Sequence, residues 1–332
     1  SATPQPVRLG ILSTANINRL VIPPAHASPK VDLVAVASRD QARADAYARE
    51  WRIPRAYGSY EALVEDPDVE AVYISLPNSL HVPWSIRALE AGKHVLCEKP
   101  LARAAADAED AFDAAEHAGR LLTEAFMWRH TPQTKRLTEL VAKGAIGRLR
   151  LVRAAFSFFL DNPENVRLLA DLDGGALMDV GCYCVSGARL LAGEPEHVYG
   201  EQTLGPGGVD VAFAGTLRFP DDVVAQFDCG FVLPSRDELE AVGEEGSLFL
   251  DDPWHARQPV IELRRGGEVE RIEVERVDAY RAELENLSDA IRGRAEPLLG
   301  REDAAGNARV IEALYESAAE AATESGVPPF PS

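Results

Sequence analysis

The chain reads as an α/β unit built on a parallel sheet, followed by an α+β unit whose sheet is mainly antiparallel. Three observations predict this. Up to Glu124, short apolar runs alternate with helix-patterned segments, the mark of βαβ units with helices on both faces of a parallel sheet. After Glu124 come strand-like runs separated by turn signals such as Gly205-Pro206-Gly207-Gly208, Pro220-Asp221-Asp222 and Gly266-Gly267, which spell an antiparallel meander. The 332 residues suffice for two cores. The expected division is 1–124 and 125–332, with the last helix packing back on the first unit.

In the first unit, strands are expected at Val7–Leu12, Val31–Ala37, Val69–Leu76, Val95–Cys97 and Leu121–Glu124, each a short apolar run. Helical spacing predicts helices at Ile17–Ala27, Gln41–Trp51, Tyr60–Val64, His81–Ala91 and Ala104–His117. In the second unit, Thr131–Lys143 is a helix stopped by Gly144, Leu149–Leu160 alternates as a long strand, and Val180–Leu191 is a helix. Strands follow at Val211–Phe219, Val223–Val232, Ser247–Leu250, Val260–Leu263 and Glu268–Val274, then helices at Tyr280–Arg292 and Asp303–Glu324.

Composition narrows the function. A net charge of −19 argues against nucleic-acid and anionic-membrane surfaces, which need clustered Lys and Arg. Cys182 and Cys184 are too close for an ordinary disulfide framework, and no Cys/His set has zinc spacing, so no metal is expected. Ser1–Pro6 lacks a charged-then-apolar signal pattern, and no apolar run is long enough to span a membrane, so a cytoplasmic protein is expected.

Parallel α/β sheets bind ligands at the carboxyl ends of their strands. After the first strand comes Ser13-Thr14-Ala15-Asn16-Ile17-Asn18, where all three glycine positions of a dinucleotide fingerprint hold other small residues. Small side chains and a helix N-terminus still suit a pyrophosphate. The second strand ends in Ser38-Arg39-Asp40, where Ser38 and Arg39 suit the 2′-phosphate of NADP better than the 2′-hydroxyl of NAD, which stays possible. Asp40 lies at the start of the next helix. At another strand end lies Glu98-Lys99-Pro100, where Pro100 stops the strand and leaves a lysine at the ligand-binding edge.

These residues resemble the Gfo/Idh/MocA oxidoreductases (glucose–fructose oxidoreductase, inositol dehydrogenase and relatives). Glu98-Lys99-Pro100 matches, with Ala91-Gly92-Lys93-His94-Val95 before it. Leu76-Pro77-Asn78-Ser79-Leu80-His81 looks like the family's cofactor-flanking loop, and Gly174 to Tyr183 like its second catalytic segment. The likeness runs from Val7 to Ala322. Many members carry His where this chain has Tyr183. The Cys182-Tyr183 form, with Ala125-Phe126-Met127-Trp128-Arg129, looks like the branch of NADP-dependent D-xylose dehydrogenase and dimeric dihydrodiol dehydrogenase, with keto-sugar reductases also similar. The resemblance implies a Rossmann domain, an open-faced sheet domain and a homodimer through the exposed sheets. It also implies cofactor contacts from Leu76, Pro77, Asn78, His81, Glu98, Trp128 and Arg129.

Oxidation of a sugar carbon by nicotinamide leaves a hydroxyl proton to remove. Tyr183 is the candidate base, its phenol lowered by the ammonium of Lys99, which also polarises the substrate oxygen. The alternative is Lys99 as proton donor with Tyr183 steering it. Asp179, four residues before Tyr183 on one helical face, holds a substrate hydroxyl, orients Lys99, or caps a helix before Val180. Trp128 and Phe158 are candidate pocket walls. Asp161 to Arg167 is a polar loop placed to read hydroxyls, with Arg167 the candidate contact, and Trp254 is a candidate lid. The expected activity is NADP-dependent oxidation of a monosaccharide, such as D-xylose to its lactone. Alternatives are keto-sugar or dicarbonyl reduction, trans-dihydrodiol oxidation, and, in another class, a non-catalytic NADP-binding regulator.

Overall fold

The computed structural model describes residues 5–323. Its first sheet holds β1 (Val7–Leu12), β2 (Val31–Ala37), β3 (Arg55–Tyr57), β4 (Ala71–Ile74), β5 (His94–Glu98) and β6 (Leu122–Ala125). The connections are α1 (Asn18–Ala27), α2 (Gln41–Trp51), α3 (Tyr60–Val64), α4 (His81–Glu90) and α5 (Ala105–Ala118). All pairs are parallel, in the order β3-β2-β1-β4-β5-β6. That is a Rossmann arrangement, whose order reverses between β1 and β4 and opens a crevice there. The strands are covered on both faces, so β4 and β6 are buried throughout; β4 reads in sequence as an unbroken apolar run, whereas β6 buries Thr123 and Glu124. Strand β3 escapes that reading because it is a three-residue, half-buried edge strand with no apolar run of its own.

The second part contains α6 (Pro132–Ala142), β7 (Leu149–Phe159), α7 (Cys182–Ala192) and strands β8 (His197–Leu204), β9 (Asp210–Arg218) and β10 (Val224–Gly230). It continues with β11 (Val232–Gly243), β12 (Ser247–Asp251), β13 (Val260–Arg265), β14 (Glu268–Glu273), α8 (Ala279–Ile291) and α9 (Arg301–Thr323). The eight strands run β14-β13-β12-β11-β7-β10-β9-β8. Only β7 and β10 pair in parallel; the other neighbours are antiparallel. One face presents Val152, Ala154, Leu239, Ala241 and Leu248 to a core shared with α7 and α9. On the other face Arg153, Gln226, Arg236, Glu238, Glu240 and Phe249 line a shallow polar groove.

Two strands of this sheet are absent from the sequence reading. Strand β11 carries four charged residues and a proline. Arg236, Glu238 and Glu240 alternate onto the open face, and Pro234 sits in a pairing irregularity between Val232 and Arg236, where a missing N–H costs no ladder bond. Strand β8 is an edge strand, largely exposed, so it lacks the apolar run that marks its neighbours. The helix expected from Val180 begins instead with a π-turn over Leu177–Gly181, and α7 follows from Cys182.

The two last helices span both sheets. Ala304, Ala305 and Ala308 of α9 pack into the core of the first sheet, while Val310, Ile311 and Leu314 join the core of the second. Leu284 and Leu287 of α8 pack against residues of the first sheet and α1. Glu324, the expected end of the last helix, lies outside the described residues. No helix among the described residues is long and apolar enough to cross a membrane.

Candidate active site

A cavity of about 830 Å³ opens where the β1/β4 crevice faces the second sheet. Thr14, Ala15, Asn16, Ile17, Leu76, Pro77, Asn78 and His81 line one side, and Glu98, Lys99, Phe158, Arg167, Asp179 and Tyr183 the other. The volume suits a ligand larger than a free sugar.

At the β1 end, the chain leaves the strand through Ser13, whose φ of +126° is a conformation that favours glycine. A hydrogen-bonded cluster holds it there. Ser13 Oγ and Ser75 Oγ lie 2.7 Å apart, Ala15 N donates to Ser13 Oγ at 3.1 Å, and Asn18 Nδ2 donates to Ser13 O at 2.9 Å. Ser75 Oγ closes the ring by donating to Asn18 Oδ1 at 2.7 Å. Two of the residues that replace fingerprint glycines therefore form a brace. Helix α1 has no side chain capping its N-terminus, and the residues before it line the cavity. An uncapped helix start beside small side chains fits a pyrophosphate.

Next to this turn, Asp40 accepts the Arg43 amide at 2.7 Å, so Asp40 is the cap of α2. Ser38 is buried, with its amide on Tyr57 O, and Arg39 is exposed beside the Tyr60 hydroxyl. Neither Ser38 nor Arg39 lines the cavity, whereas Arg43, which sequence reasoning missed, does. The two lie four residues apart at the start of α2, Arg39 just before the cap and Arg43 in the first turn. Two guanidinium groups at this corner fit a third phosphate.

At the other end, Lys99 Nζ donates to Asp179 O at 2.6 Å and lies 3.5 Å from Asp179 Oδ1. Arg167 Nε donates to Asp179 Oδ2 at 2.8 Å. Burial pulls the Lys99 pKa down, but Asp179 with Cys182 and Glu98 pushes it up, and the net shift is upward. Burial raises Asp179, yet Lys99 and Arg167 outweigh it and the carboxyl sits below its usual range. Asp179 is thus an ionised carboxylate between two cations, not a helix cap.

Tyr183 departs from expectation. Lys99 Nζ lies over its ring, 4.9 Å from the centroid, while the hydroxyl donates to Met127 Sδ at 3.3 Å. Burial, reinforced by Tyr280 and Glu98, holds the phenol well above its ordinary value. The expected lowering by Lys99 is absent because the ammonium meets the ring face and the phenol lies in a dry aromatic cluster of Phe126, Phe156 and Trp254.

Several expected contacts are placed elsewhere. Trp128 is fully buried, edge-on to Trp254, because the 3₁₀ turn Met127–His130 after β6 rotates it into the core. Arg129 pairs with Asp303 at 2.8 Å. Trp254 is also fully buried, its Nε1 donating to Ala155 O at 3.2 Å, so it backs the pocket and does not close it. His81 borders the cavity, but both ring nitrogens face backbone carbonyls: Nδ1 is 2.8 Å from Pro100 O and Nε2 2.7 Å from Leu76 O. It fastens the Leu76 loop to the Lys99-Pro100 loop, and burial holds its pKa down. Glu98 accepts the Tyr73 hydroxyl at 2.6 Å and the Lys99 amide at 3.2 Å. Tyr280 and His255 line the cavity without having been expected. Both arrive from the far sheet and its following helix, at a sequence distance that no local motif spans.

Comparison with known proteins agrees with this geometry. Residues 7–126 match the model of an oxidoreductase family with an NAD-binding Rossmann fold, and residues 134–249 match the GFO/IDH/MocA C-terminal domain. The chain is 41% identical over 316 residues to an NADP(+) D-xylose 1-dehydrogenase of Haloferax volcanii, covering 93% of this chain and 96% of that one. Among solved structures, a 3-ketoreductase from Actinomadura kijaniata in complex with NADP and TDP-benzene superposes with a TM-score of 0.88 at 31% identity, over 94% of this chain and 98% of that chain. An aldose–aldose oxidoreductase from Caulobacter crescentus complexed with glycerol gives 0.88 at 31% identity, over 95% and 98%.

Proposed function

The chain belongs to the Gfo/Idh/MocA oxidoreductase family, and from that premise we propose that it transfers hydride between NADP and a monosaccharide, oxidising an aldose such as D-xylose to its lactone. One observation carries the reading: a single cavity has an uncapped helix start at one end and the Lys99–Asp179–Tyr183 group at the other. The residues before α1 would hold the pyrophosphate, and Arg39 and Arg43 the 2′-phosphate. The division at 124/125 assigns the nucleotide to the first part and the sugar to the second.

When bound, nicotinamide accepts or supplies the hydride at its C4 carbon. The chain's own residues manage the oxygen and its proton. Of the three ammonium protons of Lys99, one is committed to Asp179 O and a second leans toward Asp179 Oδ1, leaving one for a substrate oxygen. That contact stabilises negative charge as it develops there. Tyr183 holds its proton on a thioether sulfur, a weak acceptor, so little opposes its turning toward the same oxygen. Asp179 and Arg167 offer an acceptor and a donor to neighbouring hydroxyls.

Both Lys99 and Tyr183 are held in their protonated forms, which readies the pair to give a proton. Reduction therefore proceeds from the resting state, while oxidation first needs a proton removed from the pair. Oxidation is expected to quicken as pH rises through the alkaline range, and reduction to slow. The same observation favours a second reading, reduction of a keto-sugar or dicarbonyl or oxidation of a trans-dihydrodiol, which the aromatic walls Phe156, Phe158 and Tyr280 also suit. Near-ultraviolet absorbance of reduced nicotinamide, followed over aldoses, diketones and dihydrodiols with NADP and NAD, tests both. Pentose turnover with NADP is the expected result. Tight NADP binding with no turnover across the panel would leave a non-catalytic binding protein.

The open face of the second sheet is where we place a homodimer contact, and the four free cysteines suit a reducing compartment such as the cytoplasm. Phe249→Glu on that face should give a monomer by light scattering while NADP still binds. An unchanged mass would move the contact elsewhere.

A further inference from the structure

The turn after β12 throws one side chain into the cavity at unusual conformational cost. Asp252 and Ala256 both have positive φ, +62° and +51°, and Ala256 N donates to Asp252 O at 3.0 Å. Neither residue is glycine, so the turn carries strain that its surroundings must hold. Trp254, fully buried, anchors one side of the turn. The neighbouring residue, His255, lines the cavity with Phe156, Phe158, Tyr183 and Tyr280. Its ring stands edge-on to Phe156 at 6.1 Å and 85°.

The ring is braced on one edge only. Around Nδ1 stand Asp252 Oδ1 at 3.4 Å, Asp237 Oδ2 at 3.8 Å and Arg257 Nη2 at 3.1 Å. Arg257 also pairs with both carboxylates, at 3.1 Å to Asp252 and 3.6 Å to Asp237. The three groups Asp237, Asp252 and His255 could in principle gather round a metal ion, but this guanidinium already supplies their positive charge. The assembly is a bracket for an imidazole. Nε2 makes no hydrogen bond to another described residue, and the ring that carries it belongs to a mainly aromatic stretch of wall.

A strained turn, a buried anchor and a three-group bracket that leave one ring nitrogen without a protein partner hold that nitrogen for something else. We infer that His255 sets substrate specificity by hydrogen-bonding, through Nε2, a sugar hydroxyl other than the one on the reacting carbon. Lys99, Asp179 and Arg167 are the groups proposed for the reacting carbon and its neighbour, and His255 forms no hydrogen bond or ion pair with any of them. The inference rests on the proposed sugar substrate and adds a residue to it. A site built to bond a hydroxyl rejects the analogue that lacks it, whereas an apolar wall does not.

The test pairs His255→Phe and His255→Gln with D-xylose and its monodeoxy analogues, measuring kcat and KM separately. NADPH fluorescence confirms that each variant still binds cofactor. For D-xylose, His255→Phe should raise KM roughly tenfold with kcat within about twofold, and His255→Gln should restore part of the loss. One monodeoxy sugar should be disfavoured about tenfold by the wild type and not at all by His255→Phe, which isolates the pairwise contact. Unchanged KM for xylose in His255→Phe overturns the inference and leaves the proposed function intact. So does an equal loss on xylose and every deoxy sugar, the result of general disruption. A wild type silent on every sugar removes the proposed function and this inference with it.

Discussion

The two sheets differ in what their faces meet. The first is covered on both sides, and at the ends of β1 and β4 it offers mainly backbone: the uncapped start of α1, held by the Ser13 brace, and the Leu76–Asn78 loop. The second is covered on one side, and it sends side chains toward the cavity: Phe156, Phe158 and, from the turn after β12, His255. Backbone amides in a closed layer suit phosphates, which every nucleotide shares. Side chains on a half-open layer can change one at a time, as substrate choice requires. Lys99 and Asp179 meet across the seam, one from the end of β5 and the other from the π-turn before α7. The proposed chemistry is therefore a property of the junction and belongs to neither sheet alone.

The largest effect should come from breaking that junction. Lys99→Ala removes the proposed proton donor to the substrate oxygen and leaves Asp179 paired only with Arg167. Turnover should fall about a thousandfold, the scale of a lost electrostatic contact to a developing charge, while NADP affinity stays within roughly threefold. Stopped-flow turnover and fluorescence titration read the two separately. Equal losses in both would mean that Lys99 serves the nucleotide end and that the two ends are not separable.

The same contrast decides what sequence could show. Strands covered on both faces leave apolar runs, so β1, β2, β4 and β5 were legible, and β6 by its place after the last helix of the alternation. Strand β11 is central in its sheet yet reads as charged, because alternate residues face solvent on the open side. In the site, residues carried by local motifs, Thr14 to Ile17, Leu76 to Asn78, Glu98, Lys99, Asp179 and Tyr183, all reach the cavity. What sequence could not show was direction. Trp128 and Trp254 point into the core, and the Tyr183 hydroxyl meets a sulfur. Such orientations are set by packing between segments distant in sequence, 56 residues apart for Met127 and Tyr183 and more than a hundred for Trp128 and Trp254.

A second break confines itself to the first sheet. Arg39→Ala with Arg43→Ala should weaken NADP about a hundredfold and NAD hardly at all, with the KM for sugar unchanged at saturating cofactor. The NADP preference should also shrink as salt is raised, because the contact is charge on phosphate. A matched loss of NAD affinity would show that the two arginines hold the helix and not the phosphate.

The two sheets also predict different results for one chemical change. Glu124 in β6 is buried and accepts the Leu101 amide at 2.6 Å, and burial pushes its carboxyl up to about 8. An acid raised in the folded state binds its proton more tightly there than in the unfolded chain, so folding gains from it below the unfolded pKa. That gain is lost as pH climbs through the folded value. Stability should drop between about pH 5 and 9 by something on the order of 5 kcal/mol from this group, the size of its shift. Glu124→Gln should flatten that part of the profile and raise the melting temperature at pH 9. The same swap at Glu240 on the open face of β11 should move neither. Melting curves across pH compare the three proteins directly, and a Glu124→Gln profile parallel to the wild type would place the titration elsewhere.

The smallest effect lies at Ser13, where the backbone end of the site departs from the glycine pattern. The serine endures a φ of +126°, a strain of about 1–3 kcal/mol for a residue with a Cβ. Its hydroxyl recovers part of that through Ser75 and the Ala15 amide. Ser13→Gly sheds the strain and the bonds together, and adds the entropy of a freer unfolded chain, so its stability should stay within about 1 kcal/mol of wild type. Ser13→Ala keeps the strain and loses only the bonds, and should cost about 1–2 kcal/mol. Urea denaturation of the pair separates strain from bonding because each variant removes a different combination. If alanine proved as stable as serine, the Ser13–Ser75 brace would be incidental, and the missing glycines would have to be tolerated by strain relieved somewhere else in the turn.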